Sequence, residues 1–342
     1  MGAELGSVEV MGAHVRYRRT GEGRPDCLVL LHGLGADHRG LLRMAGAIHG
    51  FDVVALDLPG FGLSEAMSAP YTMEAYAAVV EQLRIHLGRT RIHLTGHSLG
   101  ANIALVYAAR YGAALESLCL LNPVWGLPRL ITTLARLYYG LGVRLPSPAD
   151  RLWLASRAAV YIGDMLTFTT SDRTTRRNIL AQDYVNMRRA DLRAIKQSYR
   201  SYLDTPWEQY AARITARTLI VTGSRDKVAR PSSMAQLQER IAGSGTVVVP
   251  DAGHLLTSEM PGPVGALVNR FLTGIVGRPG PRQAGRLYAH RHHRGHRQAA
   301  RSDIAVDSPS DVIGRRWPDA RPDGSAPGPP CPPARRVQLP RR

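Results

Sequence analysis

The chain has 342 residues and a formal net charge of +17, enough length for one domain of about 250–300 residues with an appendage. Residues 278–342 hold 14 Arg, no Lys and five Asp, a net +9 that leaves +8 for everything before them, and lysine occurs only at Lys196 and Lys227. A bias so local and so exclusively arginine argues against a nucleic-acid surface on the core.

In chain order, Ser7 to Arg19 alternates apolar and polar residues and predicts an antiparallel edge hairpin. Short, mostly apolar runs then recur from Cys27 to Leu31, Asp52 to Leu56, Ile92 to Thr95, Leu118 to Leu121, Thr218 to Thr222 and Thr246 to Pro250. Runs without alternation predict strands covered on both faces, as in a parallel sheet flanked by helices. Helical spacing over Met73 to Leu87, Asn102 to Tyr111 and Ser233 to Ile241 supplies the intervening helices, so the fold class is α/β. Between about Val124 and Ile214 no strand is predicted. Leu127 to Tyr139, Ala149 to Ile162, Arg173 to Met187 and Asp191 to Tyr202 read as helices, an all-helical cap inserted in the sheet protein. The expected organisation is a core of 1–123 and 215–276, a cap of 124–214, and an Arg/Pro-rich tail of 277–342 too poor in apolar residues to order itself. Within the tail, residues 290–297 alternate His and Arg. A solvated segment is the preferred reading there over a metal or polyanion site.

Three cysteines, Cys27, Cys119 and Cys331, fit no metal spacing, and no metal or organic cofactor is expected. Met1 to Val15 lacks a signal-peptide pattern and no run of about 18 apolar residues occurs. The expectation is a cytoplasmic protein without stable membrane insertion.

The chemistry centres on Gly96-His97-Ser98-Leu99-Gly100, which joins the run ending at Thr95 to a helical stretch. Glycines two residues either side of Ser98 permit a turn so tight that the hydroxyl stands clear of the sheet, with helix amides aimed at whatever it attacks. A serine needs a base, and the base an orienting acid. His254, in Asp251-Ala252-Gly253-His254, follows the last strand and opens at the carboxyl edge of the sheet, where open α/β sheets place their sites. His97 holds the variable position of the elbow, its side chain directed away from the reaction. Asp226 follows the preceding strand and is the candidate acid. A plain turn-forming role for it stays open, and Asp251 competes. The backbone N–H groups of Leu99 and of Leu34, in His32-Gly33-Leu34-Gly35, are the candidate oxyanion donors, with His32 bracing that loop.

These motifs together resemble the α/β-hydrolase superfamily, of the capped, esterase-like kind: His32 to Gly35, Asp57-Leu58-Pro59-Gly60-Phe61-Gly62-Leu63-Ser64, the elbow, Asp226 and His254, over about residues 7–276. The resemblance implies that Leu34 and Leu99 bind the oxyanion, Ser98 attacks, His254 shuttles the proton and Asp226 orients it. Asp57 to Ser64 is then a turn of structural importance. Pro231 falls five residues after Asp226 where relatives often have it at four, and Ala101 replaces a glycine common after the elbow.

Serine at the elbow favours attack on a carbonyl over the sp³-carbon displacements that relatives perform with aspartate. Trp125, Leu127, Tyr138, Tyr139, Trp153, Met165 and Phe168 offer apolar surface for a pocket, Trp125, Leu127, Tyr138 and Trp153 foremost, although they equally suit packing of the cap on itself. The expected activity is hydrolysis of a small to medium apolar carboxylic ester, a small-molecule substrate. A thioesterase, a carbon–carbon bond hydrolase or a non-catalytic binding protein are the alternatives, and nucleic-acid attachment would fall to the tail alone.

Overall fold

The computed structural model describes residues 4–126, 132–133, 137–138, 141–142, 145–146, 148–167, 169–170 and 172–274, the side chains of 165 and 166 excepted. Leu127, Tyr139, Phe168, most of the helix read over Leu127 to Tyr139, and the tail of 277–342 with Cys331 therefore lie outside the described residues. Strands β1 (Glu4–Val10), β2 (Ala13–Thr20), β3 (Cys27–Leu31), β4 (Asp52–Leu56), β5 (Ile92–His97), β6 (Leu115–Leu121), β7 (Arg217–Gly223) and β8 (Gly245–Val249) form one sheet. Their spatial order is β1-β2-β4-β3-β5-β6-β7-β8. β1 and β2 pair antiparallel through a two-residue turn in which Met11 and Gly12 both have positive φ, the geometry that matches strand twist. β2 runs antiparallel to β4, and every pairing from β4 to β8 is parallel.

The unbroken apolar strands are explained by cover on both faces. Val29, Leu31, Val54, Leu56, Leu118, Leu120 and Ile220 face a layer built from α2 (Met73–His86), α3 (Leu99–Arg110) and the helix over Pro231–Arg240. Their alternates Leu28, Leu30, Val53, Ala55, Cys119, Leu121, Leu219 and Val221 face α1 (Arg39–Ala45) and the helix over Pro261–Leu272. Each Val, Leu or Ile among them taken from water contributes about 1.5–3 kcal/mol. Cys27 and Cys119 are free thiols in these layers.

Between β6 and β7 the chain forms α4 (Ala149–Leu154), α5 (Arg157–Thr167), α6 (Arg173–Arg189), α7 (Leu192–Asp204) and α8 (Trp207–Ala211). The stretch Ala149 to Ile162, read as one helix, is two, because the Ser156 hydroxyl accepts from the Ala159 N–H and starts a new helix there. Asp172 and Asp191 cap α6 and α7 in the same way. After β7 come α9 (Pro231–Arg240), α10 (Leu256–Glu259) and α11 (Pro261–Leu272). α11, a helix not among those expected from the sequence, opens on Pro261-Gly262-Pro263, and proline suits a first helical turn. Gly265 lets α11 close on α1, where a Cβ would stand 2.2 Å from the Met44 carbonyl oxygen. Among the described residues, no helix is long and apolar enough to cross a membrane.

Candidate active site

Ser98 caps α3 at φ 53° and ψ −118°, backbone geometry that a side-chain-bearing residue rarely adopts. The flanking glycines make that turn possible. A Cβ on Gly96 would lie 2.2 Å from the Gly100 carbonyl oxygen, and one on Gly100 2.5 Å from that of Leu31. The Ser98 N–H is tied to the Leu121 carbonyl of β6 at 2.9 Å, which anchors the elbow in the sheet.

Loops after β7 and β8 bring two further side chains to this edge. His254 Nε2 lies 2.9 Å from Ser98 Oγ, and its Nδ1 lies 2.8 Å from Asp226 Oδ2. A carboxylate only accepts, so Nδ1 carries the proton and Nε2 is the acceptor facing the hydroxyl. Asp226 Oδ1 accepts from the N–H groups of Val228 and Ala229 at 2.7 and 2.8 Å. Burial alone would raise the Asp226 carboxyl, but the His254 ring and these amides outweigh it and hold the group below its usual range. Asp251, the competing acid, is turned outward, 67 % exposed and ion-paired with Arg225. The proline spacing leaves this loop intact, since Pro231 is simply the first residue of α9.

Two buried side chains, His97, expected to point away, and Asn122, which the sequence did not single out, hold the histidine loop from beneath. His97 Nε2 donates to the His254 carbonyl at 2.8 Å with the two rings 5.6 Å apart, so it is directed at the site and not away from it. Burial, then the neighbouring His254, lowers His97 to about 4, which keeps its ring neutral. Asn122, at φ 46° just after β6, donates to the carbonyls of Gly253 and His254 at 2.9 and 2.8 Å. An asparagine directly after a predicted strand is the available signal, because asparagine tolerates positive φ better than other side chains. From above, the His254 N–H donates to the Thr167 carbonyl at the end of α5.

The loop after β3 borders the serine closely enough that a Cβ on Gly33 would lie 3.3 Å from Ser98 Cβ. His32 accepts from the Leu58 N–H at Nε2 and donates from Nδ1 to the Gly33 carbonyl, bracing the loop. Asp57 binds the His38 ring and the N–H groups of His38 and Leu63, and so holds the following turn. A cavity of about 410 Å³ opens over Ser98 and His254. Leu34, Leu99, Val124, Tyr138, Leu154, Val160 and Tyr202 give it apolar walls. Asp164 of α5 and Asp183 of α6 add carboxyls to the same wall. Of the pocket candidates, Tyr138 is in the wall. Trp125 is 7 % exposed within the core, and Trp153 stacks on Tyr138 at 5.8 Å while remaining 39 % exposed. Among the described residues, no three His, Cys, Asp or Glu are grouped to hold a metal ion.

A parallel sheet with a serine elbow at its carboxyl edge defines the class, a hydrolase built on an α/β sheet. The sequence pattern of the α/β hydrolase fold matches residues 26–261, and the chain belongs to that family. Lipase 3 of Moraxella sp. (strain TA144) is 25 % identical over 236 residues, 67 % of this chain and 71 % of that protein. The 2-hydroxy-6-oxononadienedioate/2-hydroxy-6-oxononatrienedioate hydrolase of Escherichia coli (strain K12) is 25 % identical over 279 residues, 78 % of this chain and 94 % of its own. Among solved structures, a membrane phospholipase A described as a bacterial virulence factor superposes with a TM-score of 0.67 at 27 % identity, covering 80 % of this chain and 87 % of that one.

Proposed function

We propose that the chain hydrolyses small to medium apolar carboxylic esters through an acyl-enzyme on Ser98. The observation that carries this reading is the unbroken path from Ser98 Oγ through the His254 ring to Asp226, with Ser98 and His254 lining the cavity. Nε2 of His254 takes the hydroxyl proton as Oγ attacks the ester carbonyl, and the ionised Asp226 stabilises the imidazolium. The N–H of Leu99, which opens α3 and has no carbonyl one turn behind it, serves with that of Leu34 as the oxyanion donor pair. His254 then protonates the departing alcohol, and water repeats the sequence on the acyl-enzyme. None of these steps calls on a metal or an organic cofactor.

The cavity volume suits a ligand of this size, and a lipase among the relatives fits an ester, while the Escherichia coli hydrolase among them keeps carbon–carbon bond cleavage as the second reading. Residues 124–214 act in this reading as a cap over a core of 1–123 and 215–276, closing the cavity with Tyr138, Leu154 and Val160. Free thiols at Cys27 and Cys119 favour a reducing cytoplasm as its setting. The test is a set of p-nitrophenyl esters of varied acyl length together with a fluorophosphonate probe. The expected result is turnover of the shorter esters and labelling that disappears in Ser98→Ala. No labelling and no turnover would favour a binding protein on this fold, and turnover of acyl-thioesters alone would reassign the substrate.

A further inference from the structure

We propose that the outer face of the helices between β6 and β7 docks on the surface of a bilayer containing anionic lipid. Among the described residues, ten large apolar side chains are exposed, and seven of them lie between Leu137 and Val185. Leu137, Leu152, Tyr161 and Ile162 are 66, 72, 51 and 60 % exposed, and Trp153 joins them at 39 %. Trp153, next to Leu152, is joined to Tyr138, next to Leu137: its Nε1 donates to the Tyr138 carbonyl and its ring stacks on that of Tyr138. α5 is two-faced. Val160, Gly163, Asp164 and Thr167 line the cavity, whereas Tyr161 and Ile162 point to solvent on the opposite side. A concentration of exposed apolar side chains on one inserted element marks an interaction surface.

Charge selects the partner. Residues 149–189 contain no Lys and no Glu, and Arg151, Arg157, Arg173, Arg177, Arg188 and Arg189 are all exposed without an ion-pair partner among the described residues. Arg157 and Arg188 both pack over the Tyr184 ring, and Arg151 donates to the Arg188 carbonyl, so α4, α5 and α6 present their cations together. The local carboxylates offset little of this charge: Asp150 is bound by Lys196, Asp164 and Asp183 face the cavity, and the exposed Asp172 at the start of α6 is one anion against six arginines. A second copy of the chain would set arginine against arginine. An anionic bilayer supplies phosphates for the guanidinium groups and an apolar interface for the leucine, isoleucine and aromatic side chains.

The test uses the full chain carrying Ser98→Ala, so that no lipid is consumed, in flotation with phosphatidylcholine vesicles with and without phosphatidylserine. The expected result is flotation with the phosphatidylserine vesicles, weakened by salt. Leu152→Ser/Ile162→Ser lowers partitioning by about tenfold or more. Arg177→Glu/Arg189→Glu lowers it by a similar factor, about tenfold. Leu152 and Ile162 are outside the cavity wall, so in the Ser98 protein their substitution leaves turnover of a soluble ester unchanged. Equal flotation of both variants and the parent overturns the proposal by assigning binding to another surface, such as the arginine-rich residues 278–342. Absence of flotation overturns it too, as does a lipid-free dimer that Leu152→Ser/Ile162→Ser dissolves. Because the readout needs no turnover, failure of the ester reading is seen separately in the p-nitrophenyl assay.

Discussion

At Ser98 the backbone sits at positive φ without being glycine, at a cost on the order of 1–3 kcal/mol, and bonds to Leu121, Ala101 and Asn102 hold it there. The neighbouring histidine needs the same kind of restraint. Asp226→Asn removes the charge opposite the imidazolium and lets an amide N–H face Nδ1, which favours the wrong tautomer. A drop of about a thousandfold to ten-thousandfold in kcat with little change in Tm is the expected result. Asn122→Ala removes both donors to the His254 loop but touches no reacting atom. Steady-state kinetics should show kcat lower by about tenfold and KM nearly unchanged, because the altered step is alignment of the base and not substrate binding. The two kinds of residue were unequally legible. Ser98, His254 and Asp226 are named by the chemistry proposed for them, which admits few residue types. His97 and Asn122 only donate to carbonyls, a task open to many side chains, so beyond the weak signal of an asparagine directly after a strand it is the fold that identifies them. Trp153 misleads for a related reason: the size that suits it to a pocket also suits it to an exposed stack on Tyr138.

The central strands were plain as elements because α1 and α11 on one face, and α2, α3 and α9 on the other, require every position to be apolar. The inserted helices were legible in number only roughly. The break between α4 and α5 depends on one hydroxyl, and α11 is disguised by its prolines. Least visible was the meeting of Asp164 on α5 with Asp183 on α6, because the proximity comes from packing between two helices. Burial pushes Asp164 up to about 6, and it raises Asp183 well above the usual range with Asp164 adding to the effect. Both carboxyls thus have folded-state values above their unfolded ones. The stability they allow is fully present below the ordinary carboxylate range of about 4 and is lost as pH rises through the folded values. Asp164→Asn removes the penalty of ionising this wall. Melting scans should show Tm raised by about 2–4 °C at pH 8 and little changed at pH 4. A gain of equal size at both pH values would mean that the carboxyl is not buried as described.

Across the whole molecule, charge and chemistry are separated along the chain. Among the described residues, the strands, the cavity lining and the candidate-site side chains are assigned within 4–274, while residues 278–342 carry more than half of the formal charge. If hydrolysis belongs to the first part alone, a chain ending at Gly277 should keep the ester kcat, KM and Tm of the full protein. Any affinity of the full chain for duplex DNA should behave as counterion release by arginines, falling steeply between about 50 and 200 mM salt. The shortened chain, with its formal charge reduced from +17 to +8, should lose that affinity and with it most of the salt slope. Fluorescence anisotropy with labelled duplex, run beside the p-nitrophenyl assay on both chains, separates the two properties. A shortened chain that still binds DNA with the same salt slope would move the cationic surface onto the folded part, where the exposed arginines of α4 to α6 are the next candidates. A shortened chain that folds but no longer turns over ester would instead make the arginine-rich residues part of the hydrolase.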